Sequence, residues 1–335
     1  MDSIIFKLNC GDNLFNSVIK ELNNKDTIGD LNSKQFSDGE ASVSYNTSVR
    51  GKRVFILTTP NSATKREQLD LAIDAAKRAG ASEIIPIITY FPYSRMDKID
   101  DLRGPIGAKV MAERLENRGA TSIITFDLHA DQIQGFFNIP VMHMEGKYLF
   151  DRYIFDLFRD HLGDNIVLCA PDAGAAKRVK GYRDQLKSRW DIDLSIVMID
   201  KTRKEAGVVD SMIIIGEVRA KDVIIIDDMC DTGGTLVKAA QELKGVGAKS
   251  VRSIVTHGVL SGPALDRIYY AISDGIMEDF VCSDSLPIEG EVFMEQGVYA
   301  KASDFITVIS TAKQIGKGII AMEQHTSVEH LKTMK

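Results

Sequence analysis

The chain has 335 residues, with 41 Lys and Arg against 47 Asp and Glu, for a net charge of -6. At 44% hydrophobic and 26% charged it is too apolar for a disordered chain. The acidic balance excludes a general attraction to nucleic acid or anionic membrane, so any polyanion must be held by local groups.

The length predicts about two domains at the usual ~150 residues each. No apolar run approaches the ~18 residues of a membrane span. The N-terminal stretch MDSIIFKLNCGDN lacks the basic and long apolar regions of a signal peptide, so none is expected. Cys10, Cys169, Cys230 and Cys282 lie far apart, without zinc-knuckle or CxxC spacing. Reduced thiols and a cytoplasmic location are the expectation.

Apolar runs alternate with helical patterns along the chain. Arg53 to Leu57 reads as a buried strand. A helix follows, with Leu69, Ala72, Ile73 and Ala76 on one face and Gly80 at its end. Ile84 to Tyr90 is a second strand, Pro105 opens a helix ending near Gly119, and Ser122 to Phe126 is strand again. In the second half, Asn165 to Ala170, Leu194 to Ile199, Val223 to Ile226 and Val251 to Thr256 read as strands. Helices are expected from about Gly174 and from Gly234 to about Leu243, and Phe305 to Met322 reads as a strand and helix. Such alternation predicts an α/β fold with mostly parallel sheets and right-handed crossovers.

The halves resemble each other. KRVFILTTP from Lys52 parallels KDVIIIDDM from Lys221, and each leads to a helix that ends in Gly-Ala (Gly80-Ala81, Gly247-Ala248). The expectation is a duplication: two α/β domains, 1–146 and 147–302, with 303–335 packing back on the first.

The densest chemistry lies in VIIIDDMCDTGGT, Val223 to Thr235. The chain leaves a buried strand at its C-terminal end, where open α/β sheets bind ligands. Asp227 and Asp228 are adjacent carboxylates, costly unless they meet a metal or hydroxyl donors such as a cis-diol. Asp231, Thr232, Gly233, Gly234 and Thr235 then open a helix, a setting in which backbone N–H groups converge on phosphate. Acids for a diol beside donors for a phosphate point to a 5-phosphorylated ribose.

This motif resembles the phosphoribosyl-binding loop of type I phosphoribosyltransferases and of ribose-phosphate pyrophosphokinases (PRPP synthases). FSDGE at Phe36 to Glu40, TFDLHADQIQGFF at Thr125 to Phe137 and THGVLSGPA at Thr256 to Ala264 are similar to the second family, in order and over nearly the whole chain. The resemblance implies two duplicated type I phosphoribosyltransferase-like domains, each with a mostly parallel central sheet flanked by helices. It implies Mg²⁺-dependent transfer of the pyrophosphoryl group of ATP to the anomeric hydroxyl of ribose 5-phosphate. An acceptor such as ADP-ribose, for NAD synthesis, and a non-catalytic regulatory homologue are the alternatives.

The resemblance also implies roles. Phe36, Asp38 and Glu40 match the adenine-binding turn, which in the family reaches a neighbouring subunit, implying a homo-oligomer of dimer to hexamer size. Arg95, Asp97 and His129 match ATP contacts; His129 and Asp172 match metal ligands. Asp172, Ala173 and Gly174 match the pyrophosphate loop. Lys201 and Arg203 match the catalytic cations of a mobile loop that stabilises the transferred group. The partners implied are ATP and the sugar phosphate, with no nucleic acid or membrane. Departures from the family pattern fall at Met96, Lys98, Ala175 and Thr202, at Lys65 to Leu69 and at Arg103 to Ile106.

Overall fold

The structure is a computed structural model that describes residues 2–22, 28–159, 165–205, 208–293 and 299–327. It divides into two compact units. The first comprises Met1–Glu145, Ser285–Pro287 and Ser310–Met334; the second takes in Gly146–Asp284 and Ile288–Ile309.

The first unit contains β1 (Ser3–Lys7), α1 (Asp12–Leu22), β2 (Ile28–Gly29), β3 (Leu31–Gln35), β4 (Ala41–Tyr45), β5 (Arg53–Thr58), α2 (Ala63–Arg78), β6 (Glu83–Ile88), α3 (Gly107–Arg118), β7 (Ile123–Phe126) and β8 (Val141–Met144). Six strands form one sheet in the order β2-β1-β5-β6-β7-β8, with every pairing parallel. Every residue of β5 is buried, which accounts for its unbroken apolar run; a parallel sheet covered on both faces requires it. The predicted face of α2, Leu69, Ala72, Ile73 and Ala76, is the buried one. Gly80, at φ 81°, takes the left-handed turn that ends it. The helix expected at Pro105 starts at Gly107, with Ile106 as its N-cap. β3 and β4 form a separate antiparallel hairpin.

The second unit contains α4 (Lys147–Leu157), β9 (Ile166–Ala170), α5 (Ala176–Trp190), β10 (Ser195–Glu205), β11 (Val208–Ile215), β12 (Asp222–Cys230), α6 (Gly234–Gly245), β13 (Ser250–Gly258), α7 (Ala264–Ser273), β14 (Asp279–Ser283), β15 (Glu291–Phe293), β16 (Tyr299–Lys301), α8 (Ala302–Phe305) and β17 (Ile306–Ile309). Its sheet runs β11-β10-β9-β12-β13-β14-β17, parallel except for the β10–β11 pair. Two apolar clusters, one on each face, seal it. The chain then returns to the first unit as α9 (Ala312–Gln324), whose Ile315 and Ile319 join Leu14 and Val18 of α1 in one core. The Arg53 guanidinium pins the end of α9. It donates to the Met322 carbonyl (2.7 Å) and to both Glu83 oxygens (2.5 and 3.0 Å).

One difference bears on function. The strand expected to end at Ile226 continues to Cys230, because Asp227, Met229 and Cys230 hold register with Val255, His257 and Gly258 of β13. The two aspartates therefore lie within the strand, where burial is deeper than in a loop.

Candidate active site

β12 sits at the centre of its sheet, between β9 and β13. Its C-terminal end carries Asp227 and Asp228, whose side chains are 18% and 4% exposed. The Asp228 N–H donates to Asp227 Oδ1 at 2.9 Å. Burial pushes the Asp227 carboxyl well above the usual carboxylate range, and the neighbouring charge of Asp228 pushes it the same way. The pair lacks enough local compensation to sit there comfortably as two anions.

Past β12 the chain turns through Asp231 and Thr232 into α6. Gly233 is the N-cap, at φ 75°, and no side chain caps the helix. A left-handed position favours glycine, and a helix start without a side-chain cap can offer first-turn N–H groups to an anion, although the Gly233 N–H itself is bonded to Cys230. Two clamps hold this turn in place. Arg267 Nη1 donates to the Thr232 carbonyl (2.9 Å), and the Ser261 N–H donates to the Asp231 carbonyl (2.8 Å). Gly234 and Thr235 supply the first helical residues. The five loop residues picked from the sequence thus form one turn directly after the acid pair.

Asp172 follows β9, the strand beside β12. Its carboxylate accepts from the Ala175 N–H (3.2 Å) and opens the short 3₁₀ turn Ala173–Ala175, which contains Gly174. Its charge is close enough to raise Asp227 further. Sequence reading passed over Arg178, in the first turn of α5. Its Nη1 lies 4.0 Å from Asp227 Oδ1 and 3.8 Å from Asp228 Oδ1. The signal was present in the motif APDAGAAKR, three residues past the turn, but only the fold brings it over the acids. Asp172, Arg178, Asp227 and Asp228 therefore form one electrostatic group within the second unit.

Lys201 and Arg203 lie on the backbone of β10, where it pairs with β11 across irregular register. Their side chains lie outside the described residues.

In the first unit, His129 is exposed just beyond β7. The preceding Asp127 has φ 32°, rare for a non-glycine residue. Its N–H donates to the Met144 carbonyl (2.8 Å), and the Leu128 N–H donates to His143 Nε2 (2.9 Å). Asp97 accepts from Gln132 Nε2 (2.6 Å), joining its loop to the 3₁₀ turn Asp131–Phe136 that follows His129. Arg95 is exposed on the same loop as Asp97. Phe36, Asp38 and Glu40 occupy the exposed tip of the β3–β4 hairpin. Asp38 Oδ1 accepts from the Glu40 N–H (3.0 Å), and Lys34 lies 4.8 Å from the Phe36 ring centre. Gln132 and His143 went unremarked in the sequence because neither type, alone, marks a site.

The architecture and the strand-end acid pair before an uncapped Gly-Gly helix start define a protein of the phosphoribosyl-handling class. Comparison with known proteins narrows this. Residues 3–119 match the N-terminal domain of ribose phosphate pyrophosphokinase, and residues 143–283 match the phosphoribosyl transferase domain. The chain is 37% identical over 331 residues to the ribose-phosphate pyrophosphokinase of Caldanaerobacter subterraneus subsp. tengcongensis, covering 98% of this chain and 97% of that one. It is 38% identical over 307 residues to that of Porphyromonas gingivalis, covering 91% and 90%. The crystal structure of phosphoribosylpyrophosphate synthetase from Mycobacterium smegmatis superposes with a TM-score of 0.82 at 32% identity, covering 97% of this chain and 100% of that one. The chain belongs to the ribose-phosphate pyrophosphokinase family.

Proposed function

We propose that this protein transfers the β,γ-pyrophosphoryl group of ATP to the anomeric hydroxyl of ribose 5-phosphate, giving PRPP and AMP. The observation that carries the reading is the buried Asp227–Asp228 pair directly before the uncapped start of α6. A vicinal diol would give two closely placed, buried carboxylates a pair of hydroxyl donors. A 5-phosphate would take the N–H groups of Gly234 and Thr235 at the start of α6. The named relatives match nearly end to end, and neither a larger acceptor such as ADP-ribose nor a non-catalytic role is favoured.

Phosphoryl chemistry of this kind needs alignment and charge stabilisation more than covalent help. In this reading Asp227, Asp228, Asp231, Thr232 and Thr235 hold the sugar phosphate, while Asp172, Ala173 and Gly174 face the pyrophosphate. Arg178 keeps the acid pair in place. Lys201 and Arg203 close on the transferred group. Phe36, Asp38, Glu40, Arg95, Asp97 and His129 hold ATP.

Mg²⁺ would neutralise the triphosphate when bound. Among the described residues no three His, Cys, Asp or Glu side chains converge on a metal position. Mg²⁺ keeps several waters and takes one or two carboxylates besides substrate phosphates. In the second unit Asp172 would offer the hard oxygen Mg²⁺ prefers, and in the first His129 would offer an imidazole nitrogen. The two units act as the nucleotide and acceptor domains. The exposed Phe36 hairpin is built to reach another copy, which makes the assembly a homo-oligomer. No helix among the described residues is long and apolar enough to cross a membrane. The test is formation of AMP from MgATP with and without ribose 5-phosphate. AMP that depends on the sugar phosphate is expected; none at high enzyme concentration overturns the assignment.

A further inference from the structure

We propose that His143 is a positioning residue for the reaction. It holds the loop that carries His129 by accepting the Leu128 N–H at Nε2. The inference rests on the reading of that loop as part of the nucleotide site, and adds to it a group that makes no substrate contact.

Two successive amides define the loop. The Asp127 N–H is held by the Met144 carbonyl, and the Leu128 N–H by the His143 ring, both from β8 at the edge of the sheet. Leu128 is buried at 2% exposure, so water does not stand in readily for a lost acceptor. Asp127, at φ 32°, holds a backbone geometry that persists only where its surroundings enforce it. Three residues beyond His129, Gln132 is tied to Asp97. His129 thus lies between two anchors, and the His143 ring supplies a side-chain acceptor to the first of them.

The contact also dictates the state of the ring. A nitrogen that accepts a backbone N–H carries no proton, and a backbone N–H cannot reverse its role. A neutral ring in this contact carries its proton on Nδ1; the Gln134 amide nitrogen lies 3.3 Å from that atom, so the Gln134 carboxamide must turn its oxygen toward the ring to accept that proton. Leucine at this position removes the acceptor. Glutamine restores one, since its Oε1 extends about as far as Nε2.

The experiment compares His143→Leu, His143→Gln and His129→Ala in the full chain, with kcat and the KM values for ATP and ribose 5-phosphate. Displacement of a catalytic loop by about 1 Å costs up to about 100-fold. His143→Leu is therefore expected to lower kcat about 10- to 100-fold, to shift the ATP KM and to spare the sugar-phosphate KM. His143→Gln should recover most of the loss. Proportionate change in both KM values, or no rescue by glutamine, marks a merely structural role and overturns the proposal. So does wild-type turnover in His143→Leu while His129→Ala is impaired. Full turnover in His129→Ala overturns the reading of His129 itself, a failure distinct from one confined to His143. Long-range ¹⁵N–¹H spectra of histidine-labelled wild-type protein read the ring directly. An unprotonated Nε2 and a protonated Nδ1 are expected; the reverse tautomer overturns the clamp.

Discussion

The two units solve one local problem in opposite ways. In the first, β5 ends at Thr58, and Thr59 follows on the way to α2; in the second, β12 carries Asp227 and Asp228 and leads to α6. Thr58 donates its hydroxyl proton to Asn9 Oδ1 (2.6 Å), and the Thr59 hydroxyl is bonded to that of Thr89 (2.7 Å). α2 is capped by Ser62, whose hydroxyl accepts from the Lys65 N–H. In the second unit, carboxylates replace the hydroxyls and no side chain caps α6. The first strand end is closed by its own hydrogen bonds. The second carries a buried acid pair whose charge Arg178 offsets only in part, beside a helix start with no side-chain cap, and function resides where such groups are gathered.

The strongest break in this contrast comes from Asp228→Asn. If the acids grip a diol, losing one charged acceptor costs about 1.5–3 kcal/mol in binding, roughly 10- to 100-fold in the sugar-phosphate KM or kcat/KM, with ATP affinity spared. The same change should raise stability. The Asp227 carboxyl sits above its ordinary 3.8 because burial, and then Asp228, disfavour its charge. A carboxyl raised in the folded state contributes stability that is fully present below its unfolded value and is lost as pH rises through the folded one. Thermal unfolding of the wild type should therefore show a destabilising limb above the usual carboxylate range. Asp228→Asn removes the second of these causes and should shrink that limb, leaving the part due to burial. A variant with unchanged sugar-phosphate kinetics, or a lower melting temperature at neutral pH, contradicts the assignment.

Buried charge in the first unit should behave differently. Asp70 of α2 is buried and is held by Arg114 of α3, with Arg118 at 3.9 Å. Burial still raises its carboxyl despite those partners. Arg114→Ala strands that carboxylate and should cost about 1–3 kcal/mol in denaturant unfolding, with kcat and both KM values at wild-type levels. A kinetic effect would assign this pair to the reaction.

What could be read from the sequence follows the same division. Val223 to Thr235 was legible because acids, glycines and hydroxyls crowd a stretch where a helix start needs one of them. The buried strands around it were legible from unbroken apolar runs. β3 (LNSKQ) and β4 (ASVSY) were not, since their one packed face rests on only three large apolar residues, Leu31, Val43 and Tyr45, among polar ones. The extension of β12 was missed because Asp-Asp reads as a turn until β13 is placed beside it. Arg178 was missed for a similar reason: its relation to the acids crosses from α5 to β12 and exists only in the fold.

Gly233→Ala sharpens the contrast at the helix start. A methyl group there would lie 3.5 Å from Ala264, an ordinary contact, so space is not the obstacle. The left-handed backbone is, at about 1–2 kcal/mol for an L side chain. Either the helix start relaxes and its N–H groups turn away, or the fold bears the strain. The expected result is an increase of roughly tenfold in the sugar-phosphate KM, from the same energy range, and a modest fall in melting temperature. An unchanged KM would mean that this turn does not carry the phosphate.

Ser62→Ala is the matching change in the first unit, and the smallest in effect. Loss of a serine cap costs about 0.5–2 kcal/mol. The Ser62 bond is exposed and long, at 3.3 Å, which places the cost at the low end of that range. Urea unfolding should register it; ATP and sugar-phosphate kinetics should not. The informative outcome is the comparison of two helix starts that descend from similar sequence. If opening the α2 start by removing Ser62 produced binding of a phosphate ion, measured by calorimetry, an uncapped N-terminus would suffice for an anion site and the acid pair would be incidental. If it produces only a small loss of stability, the convergence in the second unit depends on Gly233 and on the clamps from Arg267 and Ser261, which α2 does not possess.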